Sequence, residues 1–480
     1  MECDFLGPMP VKEFFRKFLP TKKLSEEDRT ALPGFVAIAN TEGNTWFDEF
    51  VRHSLQPVYF SFPIFSPRQV FTVNSYCSNI KAHNPPRIPW ILSYVGCGPD
   101  IFFYDSTKNL PEGRVATFQQ MELFIELEQE TASDPFTNTD KSGTTMPFER
   151  LSYMARATRV QMAMYSARMQ MYQFRTCVFS VGIFGKVARL FRWDRAGAIV
   201  SAPIEYSTAG NRELAEFFYR FNRMNPVQRG WDPTVCDATA EDAAAFTQAI
   251  QTVVGGGNGA LLKSLLESVG KPEVYPRKKI NVIYGGGKRA SYIAGRSSVI
   301  AKSPTGRATR CFVAMDVETK GLAFLKDSWR MGMPGMKSEG HWYKRLKRGE
   351  YLAAFSHGSD VGRVKRGGNV KKGERVRPQR TVTQNYFKRY CNTLRAGFIH
   401  YRTVQSEFYI PLKMFKDSKN LTQIMYDIVL GEFFLSAARH FTTHPTFSNT
   451  GPLRNGDPSS RYKLGEHYDH RGRPGSPHRL

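Results

Sequence analysis

Lys326 closes the apolar run LAFLK, and a lysine on a packed strand costs free energy unless a partner meets its charge. Side chains alternate across a strand, so Leu322, Phe324 and Lys326 share one face. A candidate partner, Glu339, opens EGHWYKRL, where Trp342, Tyr343 and Leu346 fall at helical spacing beside basic residues. A second group is acidic: Asp100 before IFFY, then Glu126 and Glu128 in MELFIELE. Carboxylate oxygens are the ligands that hard cations such as Mg²⁺ take. Each group also has a plain reading. Lys326 would then be a surface lysine on an ordinary hairpin. Glu126 and Glu128 would line the solvent face of a strand and alternate with Ile125 and Leu127.

The elements around Lys326 follow from residue type. Cys311–Met315 is a strand of β-branched, aromatic and small residues. Val317–Gly321 is polar, ends in glycine and turns the chain. Leu322–Lys326 is the second strand, and it ends at the lysine. A glycine-bearing turn, a strand, a hairpin, a strand ending in lysine and a helix carrying glutamate resemble the small lobe of protein kinases. The resemblance implies that Lys326 holds ATP phosphates, that Glu339 holds Lys326, and that Gly306 belongs to the nucleotide loop. Kinase loops carry three glycines in G-x-G-x-x-G. With Gly306 in the middle place, Pro304 and Thr309 stand in the other two.

Upstream, Val11–Leu19 reads as a short amphipathic helix stopped by Pro20. Residues 35–90 are rich in aromatics and proline. Trp46, Phe47, Phe50 and Val51 suggest a helix there, and Pro57–Pro67 excludes one. Strands are expected at IFFY, at Met121–Glu128, at Thr176–Phe184 and at Ala188–Trp193, with Ala198–Pro203 as an edge strand. Leu151–Phe174 is a long helix with Gln161 and Tyr165 on one face. Glu213–Asn225 and two helices split by GGGNG follow, then a strand in Ile280–Tyr284. The glycine cluster lacks the lysine and hydroxyl of a phosphate loop and reads as a helix break.

The order of strands and long helix in the first part resembles the PD-(D/E)-x-K nuclease fold. There an aspartate and an E-x-K on the next strand hold Mg²⁺ and activate water. Asp100 and Glu126 take the first two places. Glu128 takes the lysine place, so a third carboxylate replaces the cation expected to help activate water. That departure argues against hydrolysis and leaves metal binding open.

Bulk properties bound the rest. The chain has 480 residues, 41% of them hydrophobic, which fits two domains with real cores. Seven scattered cysteines show no zinc spacing and read as reduced thiols in an intracellular protein, cytoplasmic or nuclear. No signal peptide or membrane-spanning run stands out. Basic residues exceed acidic ones, 67 to 43, for a net charge of +24. Much of the excess lies in Arg363–Arg380, glycine-rich and nearly free of apolar residues. A solvated, disordered insertion is the first reading, and a nuclear-localisation signal the second. Nucleic-acid binding is the least favoured, because no aromatics interleave the charges.

Longer stretches narrow the resemblance. MELFIELE with DPF at 134–136 comes first, followed by VGIFGKVARLFRWDRAGAIVS (181–201) and EFFYRFNRMNPVQRGWDPTV (216–235). GRATRCFVAMD (306–316), LAFLKDSWR (322–330), QRTVTQ (379–384) and SKNLTQIMYDIVLG (418–431) complete the set. In this order they are similar to the fungal-type protein kinases of basidiomycetes, over roughly residues 10–431. The resemblance implies ATP-dependent phosphorylation of protein serine, threonine or tyrosine, with ATP and Mg²⁺ as cofactors. Phe398–Phe415 resembles the last small-lobe strand and the segment joining the lobes. After the helix Leu421–Leu435, such a kinase continues with an H-R-D loop and a D-F-G-like element. Here His440 follows Arg439 without an aspartate, and Asp457 and Asp469 lie in a proline- and glycine-rich tail. The expected fold class is therefore α/β (α+β). It comprises an N-terminal domain (1–270) with the nuclease-like layout, an incomplete kinase-like domain (271–435; small lobe and start of the large lobe) and a disordered tail (436–480). The expected function is that of a truncated kinase lacking turnover. The alternatives are a pseudokinase scaffold that binds protein partners and a divergent Mg²⁺-dependent nuclease.

Overall fold

The computed structural model describes residues 5–20, 24–32, 34–35, 70–72, 99–104, 118–119, 121–138, 147–254, 259–299, 301, 303–345, 354–362, 377–407, 410–411, 415, 417–438 and 462–463. The helix expected around Trp46, most of the basic stretch 363–380 and most of the tail after 438 lie outside the described residues.

Two seven-stranded sheets organise the chain. The first contains β1 (Phe5–Met9), β2 (Val70–Thr72), β3 (Ile101–Tyr104), β4 (Met121–Glu128), β5 (Val178–Phe184), β6 (Val187–Asp194) and β7 (Gly197–Ser201). Their order across the sheet is β1-β7-β6-β5-β4-β3-β2. β2, β3 and β4 run antiparallel. A 20-residue helix, Tyr153–Tyr172, then carries the chain back so that β5 lies parallel to β4. A parallel pair needs such a crossover. The helix starts cleanly because the Ser152 hydroxyl accepts a hydrogen bond from the Ala155 N–H.

This sheet is packed on both faces. Leu123, Ile125 and Leu127 point to one side, beneath the helices Val11–Phe18 and Glu213–Arg223. Met121, Phe124, Phe191 and Trp193 belong to the core on the other side, with Tyr165 and Met169 of the long helix. β7 is not the edge that the sequence implied. β1 pairs with it in parallel and takes the edge itself. The strand FLGPM carries a proline, which an edge tolerates and which hides it from pattern reading.

The second sheet contains β8 (Val235–Asp237), β9 (Lys278–Tyr284), β10 (Lys288–Ala294), β11 (Arg310–Asp316), β12 (Leu322–Met331), β13 (Phe355–Asp360) and β14 (Phe398–Gln405). Its order is β13-β14-β12-β11-β10-β9-β8, antiparallel throughout. The helices Ala240–Val254 and Gly259–Val269 bring Phe246, Ile250, Leu265 and Val269 onto Ile293, Val313, Met315 and Leu322 of this sheet. By packing, both helices and β8 go with the second sheet, although they precede the expected hand-over at 270.

The sheets meet through buried polar groups. Asp194, at the end of β6, accepts hydrogen bonds from the Val382 and Thr383 amides at 2.8 and 3.1 Å. Arg195 donates to the Pro304 and Gln170 carbonyls at 3.2 and 3.3 Å. Arg310 of β11 donates to the Gln173 carbonyl at 3.2 Å. Three stretches that carry the family resemblance, RLFRWDRAG, GRATRC and QRTVTQ, are thus in direct contact.

Candidate functional site

β12 does not stop at Lys326. It runs to Met331, because β14 pairs with it from Phe324↔Gln405 to Met331↔Phe398. Lys326 is therefore mid-strand, opposite Cys311 on β11 and Thr403 on β14. Phe324 and Lys326 of β12 face the helix Glu339–Arg345, whereas Ala323 and Leu325 pack on the opposite face with Phe174. The helix can approach closely because its second residue is glycine. A Cβ at Gly340 would lie 2.5 Å from the Tyr401 hydroxyl and 2.9 Å from the Phe355 ring. Instead the Gly340 N–H donates to that hydroxyl at 3.0 Å. One turn on, Tyr343 stacks on Phe355 at 5.1 Å, and its hydroxyl accepts from Gln405 at 3.1 Å.

That approach brings the two predicted charges together. Lys326 Nζ donates to Glu339 Oε1 at 3.2 Å and lies 3.1 Å from Oε2. The pair is mostly buried, the side chains being 14% and 22% exposed. Burial alone would push the Lys326 ammonium down. The Glu339 carboxylate overcomes this and holds it above the ordinary lysine value. The ammonium has three donors and Glu339 does not exhaust them, which leaves capacity for an anion such as a phosphate oxygen.

Gly306 is placed differently from its expected neighbours. Its φ is +91°, in the region glycine favours, and its N–H donates to the Arg195 carbonyl of the first sheet at 2.8 Å. The next residue, Arg307, accepts from the Trp329 N–H at 2.7 Å. Trp329 lies three residues past Lys326, or about 10 Å along the strand. The Arg307 charge still reaches Lys326 and works against its protonation. The structure thus unites Lys326 with Glu339 and ties the Gly306 amide to the other unit.

The acidic residues of the first sheet are engaged by other groups. Asp100 Oδ2 accepts from the Leu127 N–H at 2.8 Å. Glu126 is only 3% exposed and accepts from Gln161, which in turn donates to the Tyr165 hydroxyl at 2.9 Å. Glu128 meets Thr158 at 3.4 Å, and burial raises its carboxyl above the usual range. Glu126 and Glu128 therefore lie under the long helix rather than on a solvent face. The helix covers that side of β4, and alternation in the strand could not reveal it. Among the described residues, no group of three or more His, Cys, Asp or Glu side chains could hold a metal ion.

Sequence reading missed a buried network directly behind Lys326. Asp327 Oδ1 accepts from Arg310 and His400 at 3.0 Å each, and its Oδ2 accepts from Arg402 at 2.8 Å. Arg402 reaches on to Asp232 Oδ2 at 2.6 Å, while Gln379 donates to Asp232 Oδ1 at 2.8 Å. Burial alone would raise the Asp327 carboxyl. His400, Arg310 and Arg402 outweigh it and hold the group well below the usual carboxylate range. The available signal was polar residues inside apolar runs, Asp327 in FLKDSW and His400 and Arg402 in FIHYRTV.

A profile described as fungal protein kinase matches residues 149–440, more than half of the chain. The chain belongs to the fungal protein kinase family. The matched region contains Gly306, Lys326, Glu339 and the Asp327 network, and it leaves out Asp100, Glu126 and Glu128. Searches of curated proteins and of solved structures returned no match. Among the described residues, no helix is long and apolar enough to cross a membrane.

Proposed function

We propose that this fungal protein kinase binds ATP through Lys326, in service of phosphoryl transfer to a protein hydroxyl. The observation that carries the reading is the Lys326–Glu339 ion pair, formed between a central strand and a helix at 3.1 Å. In phosphoryl transfer the protein's work is mostly positioning and charge stabilisation. A lysine held by a glutamate that does not exhaust its donors suits a nucleotide phosphate oxygen. Glu339 keeps Lys326 charged and aimed. The aromatic contacts of Tyr343 and the Gly340–Tyr401 contact fix the helix that carries Glu339. The described residues do not form a Mg²⁺ site, so the metal is assigned no protein ligand. Gly306, whose amide is taken by Arg195, enters the proposal as a turn residue near the site rather than as a phosphate ligand.

The test is a thermal shift with Mg²⁺-ATP on the whole chain and on Lys326→Met. A ligand that binds only the native state raises the melting temperature by an amount that grows with the logarithm of its concentration relative to its Kd. A rise in the parent chain that Lys326→Met abolishes supports the reading. No rise in either protein turns the assignment toward a non-catalytic scaffold in which the ion pair is structural.

A further inference from the structure

Between the two sheets lies a cavity of about 340 Å³, on the side of the second sheet away from Lys326. Arg310 and Phe312 of β11 line it. Cys311, between them, pairs with Lys326 and so lies on the other face. The cavity is within the size range of small-molecule sites. Its remaining walls are strongly aromatic: Tyr172, Phe174, Trp231 and Tyr275. Phe174 and Phe312 stack with centroids 5.9 Å apart.

Positive charge accompanies the rings. The Arg310 guanidinium lies 4.1 Å from the Phe174 centroid, and that of Arg296 lies 5.4 Å from the Tyr275 centroid. Lys278, also in the lining, is matched by Asp237. Arg296 pairs with no carboxylate among the described residues. Arg310 is buried, and its Nη1 and Nη2 are used by the Gln173 carbonyl and Asp327. Its charge is therefore spent within the buried network, which leaves Arg296 as the cation facing the cavity.

We propose that this cavity binds a planar aromatic anion of mononucleotide size. The ring lies between the aromatic walls, and the anionic group is held by Arg296. Aromatic faces accept any base or ring by stacking, while the Arg296 guanidinium selects for negative charge. The site lies across the sheet from Lys326 and stands independently of the ATP reading.

Isothermal titration of the whole chain tests it, with adenosine 5′-monophosphate as probe and uncharged adenosine as control. The monophosphate is expected to bind at least tenfold tighter than adenosine. Arg296→Ala should weaken it about tenfold while leaving adenosine unchanged. Val299→Trp, which fills the partly exposed mouth, should abolish both. Lys326→Met should leave the affinity intact. No binding at millimolar monophosphate, equal binding of the two probes, insensitivity to Arg296→Ala, or loss in Lys326→Met would overturn the proposal. Arg296 is partly exposed and Val299 is exposed, and the variants' melting temperatures verify that they fold.

Discussion

Lys326 and Asp327 are consecutive and face opposite ways. Lys326 meets Glu339 on the helix side of β12, and Asp327 meets Arg402 at 2.8 Å on the opposite side. One strand thereby carries the candidate nucleotide contact on one face and the buried junction on the other.

Neighbouring substitutions should accordingly separate binding from stability. Lys326→Met leaves the mostly buried Glu339 carboxylate, 22% exposed, without its cation and should cost about 1–2 kcal/mol, less than a fully buried pair would. Asp327→Ala leaves Arg310 and Arg402 short of a buried acid and should cost about 3–5 kcal/mol. Urea denaturation of both variants checks this. Equal costs would show that the two faces of β12 are not energetically distinct.

Gly340→Val should disturb the site without touching either charge. Its side chain would run into Tyr401 and Phe355, forcing the helix away and lengthening the Lys326–Glu339 contact. We expect loss of the Mg²⁺-ATP thermal shift and a stability loss of about 1–3 kcal/mol. A Gly340→Val protein with the parent's ATP shift would show that the pair tolerates helix displacement.

Asp194→Ala removes the acceptor of two backbone amides in the segment after the basic stretch. Hydrogen exchange at Val382 and Thr383 should quicken by roughly tenfold, the factor that about 1.4 kcal/mol of lost hydrogen bonding gives. Exchange at β9 and β10 amides should change much less. Uniform acceleration across the chain would mean that Asp194 serves global folding instead.

His357 gives a pH signature. It stacks on Tyr284 at 3.8 Å, and burial pushes its pKa down to about 4. Above the ordinary histidine value both folded and unfolded chains keep the ring neutral, and the fold retains its full stability. As pH falls from 6.5 toward 4 the unfolded chain takes the proton first, so stability drops. The residue is 7% exposed, and the loss is on the order of 1–3 kcal/mol. In His357→Phe the slope of stability against pH in that window should flatten. An unaltered slope would assign the effect to other groups.

Local pattern carried much of this. Met121–Glu128 was readable residue by residue, since its apolar run has the length and composition of a strand. The Lys326–Glu339 pair was readable through the resemblance to a kinase small lobe, since strand and helix periods alone do not show that one element faces the other. Asp194 with Val382, and Arg402 with Asp232, are separated by 188 and 170 positions. No periodicity reports such partners. The buried place of Glu126 was hidden for a related reason: alternation along β4 shows that the glutamates share a face but not what lies over it. Packing, rather than pattern, also assigns the helices Ala240–Val254 and Gly259–Val269 to the second sheet.

The order of the first sheet bears on how this protein can be cut for experiments. The family match begins at residue 149, between β4 and β5. A fragment restricted to the matched region would keep the β5-β6-β7 ribbon and shed the strands that flank it on both sides. Two rows of unpaired backbone donors and acceptors would then open to solvent, inviting edge-to-edge association. Such a fragment should be prone to aggregate, whatever the state of its Lys326 face. The residues before 149 act as the selvedge of the kinase-family cloth.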